Sequence, residues 1–212
     1  LYGDVPLIKK VTLDNLIAES SEGASILTTT LEDPFGYGRG KKTESGFATA
    51  IIEEKDADSD EKKIKEVFTG ILCVDKELLE TSLQEVTNNN AANEFYLTDI
   101  VSIMSSRGVN INTCISSNEE VQGANNKKEL EKLESIYRSM KTEELFNQGI
   151  TIVDAKRIDI RGEVKAGKDC LIDVNVILEG DITLGNNVFI GPNTILKDVE
   201  IGDGTKIEAF SH

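Results

Sequence analysis

The sequence predicts an α/β domain followed by a left-handed parallel β-helix, and three observations carry that expectation. Up to about Gly149, apolar runs of strand length alternate with helix-like stretches, the rhythm of an α/β fold. From about Ile150 the aliphatic period changes to six. Just before that change, Leu130, Leu133, Ile136, Tyr137, Met140 and Leu145 recur near the helical period, so a helix over Lys127 to Phe146 links the two regimes.

In chain order, Thr12 is positioned to cap a short helix through Ala18, and Ala24 to Leu31 reads as a strand. Phe47 to Glu54 is a second strand, followed by a charged loop from Lys55 to Lys65. Phe68 to Val74 is an apolar run and Lys76 to Val86 a helix. Thr98 precedes another helical stretch that ends at Gly108, after which Val109 to Ile115 is extended.

The second regime is the more regular. Ile172, Leu178, Leu184, Ile190 and Leu196 stand six apart, and Val176, Ile182, Val188 and Thr194 fall four after the first four of them. A six-residue repeat does not suit a helix. It suits a coil of short strands in which each hexad forms one flat side and aliphatic side chains stack inside. Gly and Asn are expected at the corners, where positive φ is needed. The pattern slips by one residue after Leu196 and resumes at Ile201 and Ile207.

Composition narrows the function. A formal net charge of −15 over 212 residues argues against binding a nucleic-acid backbone, while leaving room for a nucleotide held by local donors and a metal. Cys73, Cys114 and Cys170 are far apart and form no CxxC or Cys/His cluster, so reduced thiols in a cytosolic protein are expected. No apolar run approaches the ~20 residues of a membrane span. The only histidine is His212, so no Ser/His/Asp or Cys/His machinery is visible. The chain opens on Leu1-Tyr2-Gly3-Asp4 and stops in mid-pattern at Ser211-His212, so it is expected to be a piece of a longer protein.

Several segments offer chemistry, each beside a plainer alternative. Asp4, after a strand and before Pro6, suits a carboxylate that holds a divalent ion against phosphate, or one that caps the next turn. Pro34-Phe35-Gly36-Tyr37-Gly38-Arg39 is a glycine-rich loop that either presents backbone N–H groups to a ligand or forms a hairpin turn. Glu53 ends a strand in a charge run, either solvated or accepting sugar hydroxyls. Asn125 either offers a carbonyl oxygen to a hard cation or caps the following helix. Thr98 or Asp99 is read as a helix cap.

Taken in order, GDVPLI, LEDPFGYGR, AIIEEKDA, TGI, NNNAANEFYLTD and GANN, then a long helix and a hexapeptide coil, form a specific series. Over essentially the whole chain it resembles the bacterial bifunctional N-acetylglucosamine-1-phosphate uridyltransferase/glucosamine-1-phosphate acetyltransferase family. The resemblance implies part of a nucleotide-diphospho-sugar transferase (Rossmann-like) domain over residues 1–126. A linker helix over 127–149 and the start of the left-handed β-helix acetyltransferase domain over 150–212 would follow. It implies synthesis of UDP-N-acetylglucosamine from UTP and N-acetylglucosamine-1-phosphate with Mg²⁺, feeding peptidoglycan and lipopolysaccharide synthesis. The intact protein would be a cytoplasmic homotrimer whose other half acetylates glucosamine-1-phosphate with acetyl-CoA.

By the same resemblance Tyr2, Gly3 and Asp4 touch the uridine nucleotide, and Asp4 and Asn125 hold magnesium. Asn125 also contacts the nucleotide sugar, and Gly38 and Glu53 hold the N-acetylglucosamine portion. No catalytic side chain is assigned. The family's glycine-rich triphosphate segment would lie upstream of Leu1 and its acetyltransferase site beyond His212. The chain departs from the pattern at Phe68, where the family has Asn before Thr-Gly, at Gly40 in place of Ile, and at Ala92-Asn93 in place of Gln-Gly. Two other readings compete: a thymidylyl- or adenylyltransferase of glucose-1-phosphate, which NNNAANEFYLTD and GANN argue against, and a non-catalytic sugar-nucleotide-binding or assembly remnant, which Phe68 favours.

Overall fold

The computed structural model describes residues 3–212, and the chain divides into the units Leu1–Asn125 and Asn126–His212. In the first unit, α1 (Lys10–Glu19) precedes β1 (Ala24–Thr30), β2 (Arg39–Lys42), β3 (Ala48–Ile52) and β4 (Glu66–Val74). Then come α2 (Lys76–Leu83), α3 (Asp99–Ser106) and β5 (Ile111–Ile115). The strands form one mixed sheet in the order β3-β2-β4-β1-β5, with β1 parallel to β5 and antiparallel to β4.

Helices cover both faces of this sheet, which is why β1 reads as an unbroken buried run instead of an alternating one. Ala24 and Ile26 pack with Ile51, Phe68, Ile100, Val101 and Met104. Leu27 points the other way, into a cluster with Leu16 of α1 and Ile71. Ser25, buried between, donates its hydroxyl hydrogen to the Leu16 carbonyl at 2.6 Å, satisfying a polar group that burial would otherwise penalise.

The second unit opens with α4 (Lys127–Asn147), capped by Asn126, whose side chain accepts from the N–H groups of Lys128 and Glu129. The cap is therefore Asn126, and the alternative that Asn125 caps this helix is set aside. The coil follows: β6 (Thr151–Ile152), β7 (Ile158–Ala166), β8 (Leu171–Ile172), β9 (Val176–Leu184), β10 (Phe189–Ile190), β11 (Ile195–Ile201) and β12 (Lys206–Ile207). β7, β9 and β11 stack in parallel as one wall, and β6, β8, β10 and β12 as another. The pairs Ile160↔Leu178 and Leu178↔Leu196 set the rise at three hexads per coil.

All nine residues of the six-period series, from Ile172 to Leu196, are buried. Each aliphatic chain withdrawn from water contributes roughly 1.5–3 kcal/mol, so stacking, not hydrogen bonding alone, drives the coil. The slip after Leu196 is also present: β11 skips a register position between Lys197 and Val199. Asp198 turns there at φ 45° and its carboxylate accepts from the Asp181 N–H at 3.0 Å.

Two local expectations need correction and a third is extended. Thr12 lies inside α1, which has no side-chain cap; its hydroxyl instead donates to the largely buried Glu120 at 2.6 Å. The left-handed corners of the coil are Asn and Gly as expected at Asn175, Asn187, Asn193 and Gly204, but an acid, Asp169, takes one as well. Gly191 serves a different need, because a Cβ there would sit 2.8 Å from the Ala209 nitrogen of the next coil. Arg39, read as the last residue of the glycine-rich loop, instead opens a strand, Arg39–Lys42, that pairs with β3 and β4.

Candidate functional site

The predicted residues fall into two groups within the first unit. Tyr2 lies outside the described residues. Gly3 and Asp4 form a turn ahead of α1, and Asp4 is exposed. The Asp4 carbonyl accepts a hydrogen bond from the Ala124 N–H at 3.1 Å. A Cβ on Gly123 would come within 3.2 Å of an Asp4 carboxylate oxygen, so the missing side chain lets the two segments close together. Asn125 follows immediately. One carboxylate and one amide-bearing segment, distant in sequence, thus meet at one edge of the unit.

A second contact holds the same two segments. Lys9 and Thr12 grip the Glu120 carboxylate, at 3.2 and 2.6 Å, so the chain after Asp4 and the chain before Asn125 are joined twice. Magnesium favours few protein ligands and keeps phosphate oxygens and water in the rest of its shell. The Asp4 carboxylate, with Asn125 one residue beyond the Ala124 contact, offers donor types that suit that preference, and the described residues hold no group of three or more His, Cys, Asp or Glu.

The second group is Gly38 with Glu53. A Cβ on Gly38 would lie 3.5 Å from a Glu53 carboxylate oxygen and 2.7 Å from Ile51, so only glycine fits against that strand end. The Gly38 carbonyl is held by the Phe68 N–H at 2.9 Å. Next to it, Arg39 is 2% exposed and its guanidinium bonds the Tyr37 carbonyl and, at 2.5 Å, Glu54. Glu54 also accepts from the Gly36 N–H at 3.3 Å. The glycine-rich loop is therefore clamped from below by a buried cation and its carboxylate, a feature the sequence reading did not single out.

Negative charge collects around Glu53. The Thr98 hydroxyl donates to Glu53 at 2.8 Å, so Thr98, read as a helix cap, spends its side chain on the site. Burial pushes the Asp99 carboxyl above its ordinary range, and the neighbouring charges of Asp56 and Glu53 push it further the same way. Asp56 accepts from the Ala91 N–H at 2.8 Å and so anchors the polar loop. In that loop Asn93 sits at φ 55°, a conformation in which Asn substitutes for Gly at small cost. Phe68 is 9% exposed and packs into the core cluster, while its N–H holds the Gly38 carbonyl.

The coil identifies a class. A family model described as bacterial transferase hexapeptide (six repeats) matches residues 167–198 and 184–212, the stretch that forms the left-handed β-helix. The whole chain is similar to proteins named bifunctional protein GlmU. It is 43% identical over 213 residues to that of Marinobacter nauticus, 44% over 214 to that of Burkholderia multivorans and 43% over 213 to that of Neisseria meningitidis. Each alignment takes in 100% of this chain and 47% of the relative, so the chain spans about half the length of the curated relatives it matches. A solved structure described as a glucose-1-phosphate thymidylyltransferase of Bacillus anthracis aligns over 58% of this chain and 46% of its own. At 19% identity and a TM-score of 0.40, that likeness carries no argument. The resemblance to bifunctional GlmU proteins accordingly runs the full length of the chain.

Proposed function

We infer that the first unit contributes the sugar-binding and metal-binding side of a uridyltransferase site, in a Rossmann-like nucleotide-diphospho-sugar transferase domain. It would make UDP-N-acetylglucosamine from UTP and N-acetylglucosamine-1-phosphate in a longer, bifunctional, trimeric protein of the cytoplasm. The coil would begin the half that acetylates glucosamine-1-phosphate with acetyl-CoA. The observation that carries this reading is the meeting of Asp4 with Gly123-Ala124, immediately before Asn125.

The chemistry asks the protein for alignment more than for covalent help: an oxygen of the sugar phosphate attacks the α-phosphorus of UTP and pyrophosphate leaves. Magnesium, when bound, would neutralise the crowded phosphate oxygens. Asp4 and Asn125 would hold it, while Gly38 and Glu53 orient the N-acetylglucosamine. The acidic surround of Glu53, Asp56 and Asp99 supports that polarity: carboxylates accept sugar hydroxyls and repel phosphate, turning the anionic end of the substrate away from them.

The test is a coupled pyrophosphate assay on the full-length protein, with Asp4→Asn as the variant. Loss of Mg²⁺-dependent pyrophosphate release is expected; near-normal turnover would remove Asp4 from the metal site and with it this reading.

A further inference from the structure

We propose that the coil unit carries an anion site for a phosphate group, built from Arg138, Lys156 and Arg157. Arg138 of α4 and the two cations just before β7, together with Asn175, Asp159 and aliphatic residues of β7 and β9, line an open surface depression of about 410 Å³. That volume is in the range of small-ligand sites, roughly 300–1,000 Å³. It lies wholly within Asn126–His212 and owes nothing to Asp4 or Asn125.

Three observations distinguish this cluster from ordinary surface lysines and arginines. The Arg157 guanidinium is held by one edge, its Nε donating to the Asn175 side-chain oxygen at 3.1 Å. Asn175 is itself fixed, donating to the Asn193 side-chain oxygen at 2.8 Å in the next coil. The head group is thus pre-oriented by a ladder of corner residues, leaving its two terminal nitrogens for a ligand, the geometry that binds phosphate in a forked pair.

Two of the three cations also lack an ion-paired acid. Asp159, the acid in the lining, is engaged by Arg161 at 2.8 and 2.6 Å. Among the described residues no carboxylate lies within 4.0 Å of Lys156 or Arg157, and Arg138 reaches Glu131 only at 3.9 Å. In a chain with 38 acidic and 23 basic residues, two cations, Lys156 and Arg157, that face one concavity without an ion-paired acid leave a local positive field for an outside anion.

The experiment uses the full-length protein, inorganic phosphate as probe, and phenylglyoxal modification of arginines mapped by mass spectrometry. Phosphate should slow modification of Arg138 and Arg157 while leaving Arg161 unprotected, against chloride at matched ionic strength. In the double variant Lys156→Ala/Arg157→Ala, protection of Arg138 should need about tenfold more phosphate, whereas Arg157→Lys, which keeps the charge and loses the fork, should fall between the double variant and wild type. Unprotected Arg157, or equal protection of Arg161, would overturn the site. So would a double variant that shifts sedimentation to a smaller species with Arg138 protection unchanged, since the cations would then serve a contact between copies. Should the double variant misfold by circular dichroism, the wild-type protection pattern decides alone. Pyrophosphate release by the Asp4 site is measured in parallel, so failure of one reading does not masquerade as failure of the other.

Discussion

Glu53 at the end of β3 accepts a hydrogen bond from the Thr98 hydroxyl at 2.8 Å, a contact between residues 45 positions apart. It ties the strand end to the start of α3 and sets which carboxylate oxygen remains for a ligand. Thr98→Val removes the donor and keeps the shape. We expect KM for N-acetylglucosamine-1-phosphate to rise about fivefold, the equivalent of roughly 1 kcal/mol for one hydrogen bond, with KM for UTP unchanged. Parallel increases in both constants would instead indicate a general loosening of the unit.

Glu54 makes a pH prediction. Its hydrogen bond from Arg39 holds its carboxyl below the ordinary carboxylate range, with a smaller contribution from the Gly36 N–H. A depressed folded-state value means that the stabilisation is complete above the unfolded pKa and is lost as pH falls through the folded one. Glu54→Gln should therefore melt below wild type at pH 7, and the gap should close as the pH is lowered beneath the usual glutamate range. A gap that widened in acid would contradict the pairing.

Phe68→Asn tests what the core has gained at that position. An amide placed among Ala48, Ile51 and Met104 meets only apolar side chains in that cluster, which cannot replace the ring contacts. We expect a loss of roughly 1–3 kcal/mol in unfolding free energy, measured by urea denaturation, and no tightening of sugar-phosphate binding by calorimetry.

The coil separates two uses of small residues. Gly191→Ala brings a Cβ against the Ala209 nitrogen and the Ile207 carbonyl of the next coil, at 2.8 and 2.9 Å, and backbone cannot move aside cheaply. It should cost roughly 1–3 kcal/mol, as overpacking does. Asn187→Gly, at a corner with φ 57°, removes a side chain from a conformation glycine adopts freely and should be nearly neutral. Thermal melts of the two variants compare them directly.

Which features were legible depended on how far apart the deciding residues lie. The α/β rhythm located β1, β3, β4, β5 and all four helices to within a few residues, because strand-length apolar runs and helical periodicity are local signals. β2 is not legible: Arg39-Gly40-Lys41-Lys42 has no apolar run, and its strand state comes from a hairpin with β3 and from pairing with Val67 of the more distant β4. Thr12 and Thr98 differ: Thr12 lies inside α1, whereas Thr98 stands at the N-cap of α3 as expected and only its side chain is turned elsewhere. A threonine hydroxyl near a helix start has a local use, and only the fold brought Glu120 and Glu53 close enough to claim it.

By itself the sequence determined the β-helix, down to the one-residue slip after Leu196. A repeat that stacks in one dimension writes its burial pattern into every coil, and each residue meets its counterpart at a constant spacing. The tertiary structure alone decided the Arg39–Glu54 clamp, the closure of Gly123 on Asp4, and the depression beside Arg157. Those contacts hang on which polar groups are taken from water together, and a linear pattern carries no record of that competition until the chain has folded.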